Sequence, residues 1–97
     1  MDTDKRNAAH ARLLEEIQAD ARRTENFTGR RAFSEAVMTA MAQVPRHEFL
    51  APEDAAVAYI NRPQGIGFGQ TISQPYIVAV MSDLLDLKPD QTVLEIG

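Results

Sequence analysis

Few residues of this chain could do chemistry, and their types narrow what that chemistry is. The 97 residues include no cysteine and two histidines, His10 and His47. A thiolate nucleophile, a disulfide framework and a cysteine-ligated metal are excluded, and no ligand set at zinc spacing exists. His47 stands in Pro45-Arg46-His47-Glu48-Phe49, where it reads as a hydrogen-bonded turn residue rather than a base. The adjacent acids Glu15-Glu16 and Glu53-Asp54 point to different sides of a helix and make a poor acid–base pair. Two places remain. Ser73 precedes Gln74-Pro75 and an apolar helical stretch, and reads first as the N-cap of that helix. Glu95 and Gly97 close the string Val93-Leu94-Glu95-Ile96-Gly97, which has the form of a buried strand running into a glycine turn. Ligands of open α/β sheets settle at such strand ends, although a purely structural Glu at a strand end fits the same string.

The run Gly65-Ile66-Gly67-Phe68-Gly69 is not a phosphate loop, because the Lys-Ser or Lys-Thr ending and the following helix are absent. Its alternating glycines make a helix costly. If the run is extended, a period of two puts Ile66 and Phe68 on one face and leaves the glycines as a bare strip of backbone. A strand or a ligand could approach that strip. Phe49, Phe68, Tyr59 and Tyr76 read as core before they read as stacking platforms.

The elements that must position these residues follow from periodicity. Ala8 to Arg23 has a helical stripe of Leu13, Leu14, Ile17 and Ala21, too narrow to gain much from its own burial. Thr24 to Gly29 is a polar break, so residues 1–30 are expected to form a helical arm. A second helix spans Ser34 to Gln43 with Ser34 as N-cap, and Pro45 ends it. Pro52, Glu53 and Asp54 suit the start of a short helix. A third helix, capped by Ser73, carries the strongest apolar stripe: Ile77, Val80, Met81, Leu84 and Leu87. Lys88-Pro89-Asp90 then turns the chain into a strand at Thr92–Gly97. Such a strand needs parallel neighbours reached by crossovers, and none follows Gly97. The expectation is therefore a fragment ending inside an α/β domain, unless the last strand pairs with the glycine-rich run or with another copy of the chain.

Composition sets outer limits. The net charge is −4, with seven basic and six acidic residues in 1–31 but three basic and eight acidic in 32–97. That balance argues against a nucleic-acid partner, and Arg22, Arg23, Arg30 and Arg31 read as solvated side chains of the arm. Asp2 and Asp4 follow Met1 where a leader would be basic, and no apolar run is long enough for a bilayer. A cytoplasmic chain with no membrane partner is expected.

Three strings carry more information than composition does. VPRHEFLAP at 44–52, AYINRPQGIGFGQTISQPYIVAVM at 58–81 and LLDLKPDQTVLEIG at 84–97 closely resemble the protein-L-isoaspartate O-methyltransferases. The resemblance runs in order and without large gaps; residues 1–30 carry no part of it. It implies an α/β, Rossmann-like S-adenosylmethionine-dependent methyltransferase. This chain would hold its mainly helical N-terminal part and first sheet strand. The implied division is a helical arm at 1–30, a helical cap with the glycine-rich substrate-side segment at 31–73, and the first helix and strand of an incomplete methyltransferase domain at 74–97.

The implied activity is methyl transfer from S-adenosylmethionine to the free carboxylate of L-isoaspartyl residues in damaged proteins and peptides, after which a succinimide forms. The isolated chain is expected to be inactive. By position, Thr71, Ile72 and Ser73 fall on the family's active-site segment, with Ser73 in the catalytic place. Thr71 and Ser73 would meet the substrate, as Gly67 would. Thr71, Ile72, Ser73, Glu95 and Gly97 would meet the cofactor, and no metal is implied.

The chemistry suits so sparse an inventory. A carboxylate with a pKa near ~4 is already ionised at neutrality, so attack on a sulfonium methyl needs no general base. Opposite charges neutralise as they react, and a dry, well-aimed encounter helps more than proton transfer. A rival reading is a non-catalytic helical binding or oligomerisation module; another is a methyltransferase with a different acceptor.

Overall fold

Asp2, in extended conformation, accepts a 2.8 Å hydrogen bond from the Lys5 N–H and opens helix α1, Thr3–Arg23, in a computed structural model that describes residues 2–97. Asp4 in its first turn and Arg22 and Arg23 in its last complement the helix dipole. Helices α3 (Glu35–Gln43) and α4 (Pro75–Leu84) both pack on α1. Leu13, Ile17 and Ala21 are buried between them, the last two completely. The expectation that so narrow a stripe gains little is thus corrected: two helices flank α1, and a thin line of small and branched side chains fills the space between them. Phe33, Leu50, Ala58, Tyr59, Ala79 and Val80 complete the core.

The polar stretch after α1 is a single helical turn, α2 (Glu25–Thr28), closed by Gly29 in the left-handed conformation at φ 73°. Ser34 caps α3 as expected, accepting from the Val37 N–H at 3.2 Å. Arg46–Phe49 and Pro52–Val57 are 3₁₀ turns, the second opened by its proline.

The glycine-rich run forms an antiparallel hairpin of β1 (Gln64–Gly67) and β2 (Gln70–Ile72), pairing Gln64 with Ile72, Gly65 with Thr71 and Gly67 with Gln70. Ile66 is the extra residue of a bulge. Phe68 and Gly69 make the loop with φ of 56° and 70°, the two successive positive values that a tight type I′ hairpin turn requires. Two expectations change here. Phe68 leaves the strand direction and is fully exposed, so it shares no face with Ile66. The run pairs with β2 rather than with residues 92–97.

Helix α4 departs from the sequence reading at its start and along its face. Gln74, not Ser73, is its N-cap, and no side chain of the cap residue bonds to the helix. The cause is Pro75 at the first helical position: a proline pushes the residue before it out of helical geometry, fixing the boundary one residue later. The buried face is Pro75, Ala79, Val80 and Asp83, whereas Ile77, Met81, Leu84 and Leu87 of the expected stripe are exposed. Small Ala79 admits α1, and Asp83 is drawn inward by two hydrogen bonds. Its carboxylate, 2% exposed, accepts from Arg30 Nη1 at 2.9 Å and from the Ser34 N–H at 2.8 Å. Arg30 is therefore a structural partner, while Arg22, Arg23 and Arg31 are exposed.

A turn at Lys88–Gln91 follows, held by the Gln91 N–H to the Lys88 carbonyl at 3.1 Å. Residues 91–97 form no strand, and Leu94 and Ile96 are 83% and 88% exposed. This corrects the expected strand at Thr92–Gly97: a strand exists only by hydrogen bonding to a neighbour, and none lies beside this segment. The described chain is mainly helical with one two-stranded sheet. No helix in it is long and apolar enough to cross a membrane.

Candidate functional site

Thr71, Ile72 and Ser73 lie where β2 hands the chain to α4. Thr71 and Ser73 are exposed; Ile72 packs partly against the core. The segment is held from behind by Arg46, whose 3₁₀ turn points its guanidinium under the hairpin. Nε donates to the Ala58 carbonyl at 2.7 Å, Nη1 to the Ser73 carbonyl at 2.9 Å, and Nη2 to the Arg62 carbonyl and Gln64 Oε1 at 3.2 and 2.6 Å. Both feet of the hairpin, Gln64 and Ser73, thus hang on one fork. Arg46 is 9% exposed and, among the described residues, no carboxylate oxygen lies within 4.0 Å of it. Burial lowers its pKa from the ordinary value, with Tyr59 acting in the opposite sense. It stays charged, because an arginine does not lose its proton in a protein.

Asn61 holds the start of α4. Its Oδ1 accepts from the Tyr76 N–H at 3.0 Å, and its Nδ2 donates to Asp20 of α1 at 2.9 Å. Gln74 Nε2 donates to the Asn61 carbonyl at 3.2 Å. The missing side-chain cap is thus supplied from a distant loop. Sequence reasoning missed both Arg46 and Asn61. Neither belongs to a periodic pattern; the one signal was a basic residue directly after the proline that ends α3.

The predicted site residues separate into groups. Ser73, Glu95 and Gly97 line one open cleft of about 500 Å³ together with Ile77, Val78 and Met81 of α4. Ile72 lines a neighbouring cleft of about 380 Å³ with Arg46, Tyr59 and His10, and Glu95 borders this one too. Thr71 lines neither, and Gly67 stands at the far end of the hairpin. Gly67 has φ 98° and open space where a Cβ would sit, so its backbone conformation, not a close approach, calls for glycine. His47 Nδ1 bonds the Tyr59 hydroxyl at 2.8 Å, consistent with a turn residue, while His10 stacks on Tyr59 and bonds the Met41 carbonyl. Among the described residues no group of three His, Cys, Asp or Glu could hold a metal ion.

The first cleft suits a partly polar, partly apolar ligand. It offers a hydroxyl, a carboxylate that accepts hydrogen bonds from hydroxyl or amine groups, a glycine with φ 97°, and a thioether and branched side chains as an apolar wall.

Comparison with known proteins decides what this arrangement belongs to. The family profile described as protein-L-isoaspartate(D-aspartate) O-methyltransferase matches residues 22–97. The chain belongs to that family. A protein-L-isoaspartate O-methyltransferase 2 of Syntrophobacter fumaroxidans is 55% identical over 94 residues, 97% of this chain and 38% of the relative. A protein-L-isoaspartate O-methyltransferase 1 of Cupriavidus necator is 54% identical over 87 residues, 90% of this chain and 34% of the relative. A protein-L-isoaspartate O-methyltransferase of Aeropyrum pernix is 44% identical over 96 residues, 99% of this chain and 34% of the relative. The chain therefore spans between a third and two-fifths of the length of these methyltransferases. Similarity to the family also reaches into residues 1–30, which the sequence reading left without a signature.

Proposed function

We propose that these 97 residues are the N-terminal, acceptor-side part of a protein-repair methyltransferase acting on the free carboxylate of L-isoaspartyl residues, within a Rossmann-like fold. The observation that carries this reading is the gathering of Ser73, Glu95 and Gly97 around one cleft from opposite ends of α4. S-adenosylmethionine, when bound, supplies the electrophilic methyl group on a sulfonium centre. Glu95 and Gly97 are the residues of this chain that would hold it, with Ser73 on the side facing the acceptor.

The chain's own part is to aim and to dry. The Ser73 hydroxyl is not engaged as a helix cap, so it is available to donate to an acceptor carboxylate. Arg46 bonds the Ser73 carbonyl and fixes that residue's backbone, which limits the drift that would misalign an in-line attack. Ile77, Val78 and Met81 give the open cleft an apolar side, against which opposite charges would be screened less than in bulk water. No base is assigned, since the acceptor is ionised at neutral pH.

The test is methyl transfer in the longer protein that contains these residues, with paired isoaspartyl and aspartyl peptides. Transfer to the isoaspartyl peptide alone is expected. Ser73→Ala should lower kcat/KM by about tenfold or more, a loss of ~1.4 kcal/mol in the transition state, with no change in Tm. Equal transfer to both peptides rejects the acceptor, and an unaltered rate rejects the role of Ser73.

A further inference from the structure

We infer that Asp20 of α1 is a positioning residue for Ser73: its carboxylate fixes which way the Asn61 amide faces, and through that amide it fixes the backbone at the start of α4. This rests on the proposed function, in which Ser73 aims the acceptor. A carboxylate accepts hydrogen bonds, whereas a backbone N–H at a helix start only donates them. Between the two, Asn61 presents each with the group it needs: Nδ2 to Asp20 Oδ2 at 2.9 Å and Oδ1 to the Tyr76 N–H at 3.0 Å. With the amide turned over, two acceptors would face each other at α1 and two donors at α4. One orientation is therefore selected from both ends.

A second tie joins the same two positions. Thr24 Oγ1 donates its one proton to the Asp20 carbonyl at 2.8 Å and accepts from the Tyr76 hydroxyl at 2.7 Å. The Asn61 carbonyl takes Gln74 Nε2 at 3.2 Å, so residues 74 and 76 are both fastened to the loop that Asp20 orients. Ser73 comes directly before them, with its own carbonyl on Arg46. Its backbone thus runs between two anchors, Arg46 on one side and the Asp20–Asn61 pair on the other. Slackening the second anchor leaves the hydroxyl present but badly aimed, and a misplacement of about 1 Å costs on the order of 10²-fold in rate. The other Asp20 oxygen pairs with exposed Arg23 at 2.8 Å, a contact that touches neither Asn61 nor α4 and so serves as a control.

The test uses the longer protein that contains these residues, with isoaspartyl and aspartyl peptides. Asp20→Ala should lower kcat for the isoaspartyl peptide about fivefold or more, well below its Tm, with KM for S-adenosylmethionine unchanged. Asp20→Asn, whose amide oxygen still accepts from Asn61, should restore most of the rate. Arg23→Ala should leave it unaltered, and Asp20→Ala should cost nothing further in an Asn61→Ala background. An unchanged kcat in Asp20→Ala overturns the inference. So does a loss that Asp20→Asn fails to restore or that Arg23→Ala reproduces, since charge rather than the amide would then be the agent. Hydrogen exchange read by mass spectrometry follows position apart from chemistry. Asp20→Ala should speed exchange in the first turn of α4 and not in α3; equal speeding of both, or of neither, overturns the inference. If the unsubstituted protein methylates both peptides or neither, the proposed function falls, and exchange at the start of α4 alone decides for or against Asp20.

Discussion

Arg46 contributes most to the site without lying on its surface. Four acceptors converge on its guanidinium, and each would be left unpaired in a largely dry place if the fork were removed. At roughly 1–3 kcal/mol for an orphaned buried group, partly relieved by water, Arg46→Met should cost about 3 kcal/mol. Arg46→Lys should recover little, since an ammonium cannot reach four acceptors in a planar fan. Urea unfolding followed by circular dichroism checks both; a loss under ~0.5 kcal/mol for the Met variant would show the fork to be dispensable. At this scale the sequence was legible where a residue acts through its type and neighbours. Ser34 before a helical stripe is a cap in both readings, and His47 in its turn is hydrogen-bonded in both. It was not legible where a side chain works at long range, because nothing in Pro45-Arg46-His47 announces carbonyl partners at 58, 62 and 73.

The helices and the hairpin show which patterns carry over and which do not. Helix α3 begins one residue after its cap Ser34 and ends two before Pro45. Helix α4 exists where periodicity placed it, yet it turns another face inward. A hydrophobic stripe records which side chains prefer to be dry, whereas the observed face was chosen by the closeness that Ala79 permits and by the two bonds to Asp83. The cap was misjudged for a related reason: Asn61, from a loop before the hairpin, satisfies the Tyr76 N–H that Ser73 was expected to satisfy in part. Asn61→Ala should therefore behave as a cap deletion at a distance, costing ~1–2 kcal/mol and speeding amide exchange at the first turn of α4 before that of its middle. Uniform exchange across α4 would show that the helix start does not depend on Asn61.

Viewed whole, the molecule has one well-covered side and one bare one. The inner side of α4 meets α1 and α3 with no buried side-chain polar atom left unpaired among the described residues. On the other side Met81, Leu85, Val93, Leu94 and Ile96 are exposed and line one open cleft, and Leu84 is exposed as well. Ile77, Met81, Leu84 and Leu87 of the stripe read from the sequence are exposed and Val80 alone turns inward, so the strength of the stripe was a poor guide to contacts within these residues. The family was legible through the three strings alone, whereas a short buried strand cannot be told from an unpaired apolar tail until its neighbours are seen.

The boundary drawn by family similarity and the boundary drawn by packing are different things. The profile begins at Arg22, but Leu13, Ile17 and Ala21 fill the core and Asp20 steadies the loop that organises α4. A version trimmed to begin at Arg22 would keep every residue the profile matches and lose the pillar they lean on. Such a trimmed protein should lack a cooperative thermal transition and bind 1-anilinonaphthalene-8-sulfonate as a loosely ordered globule does. A sharp melt would show that α1 is ornamental. Excision lines for expression or grafting should accordingly be placed ahead of Asp2, whose carboxylate starts the pillar.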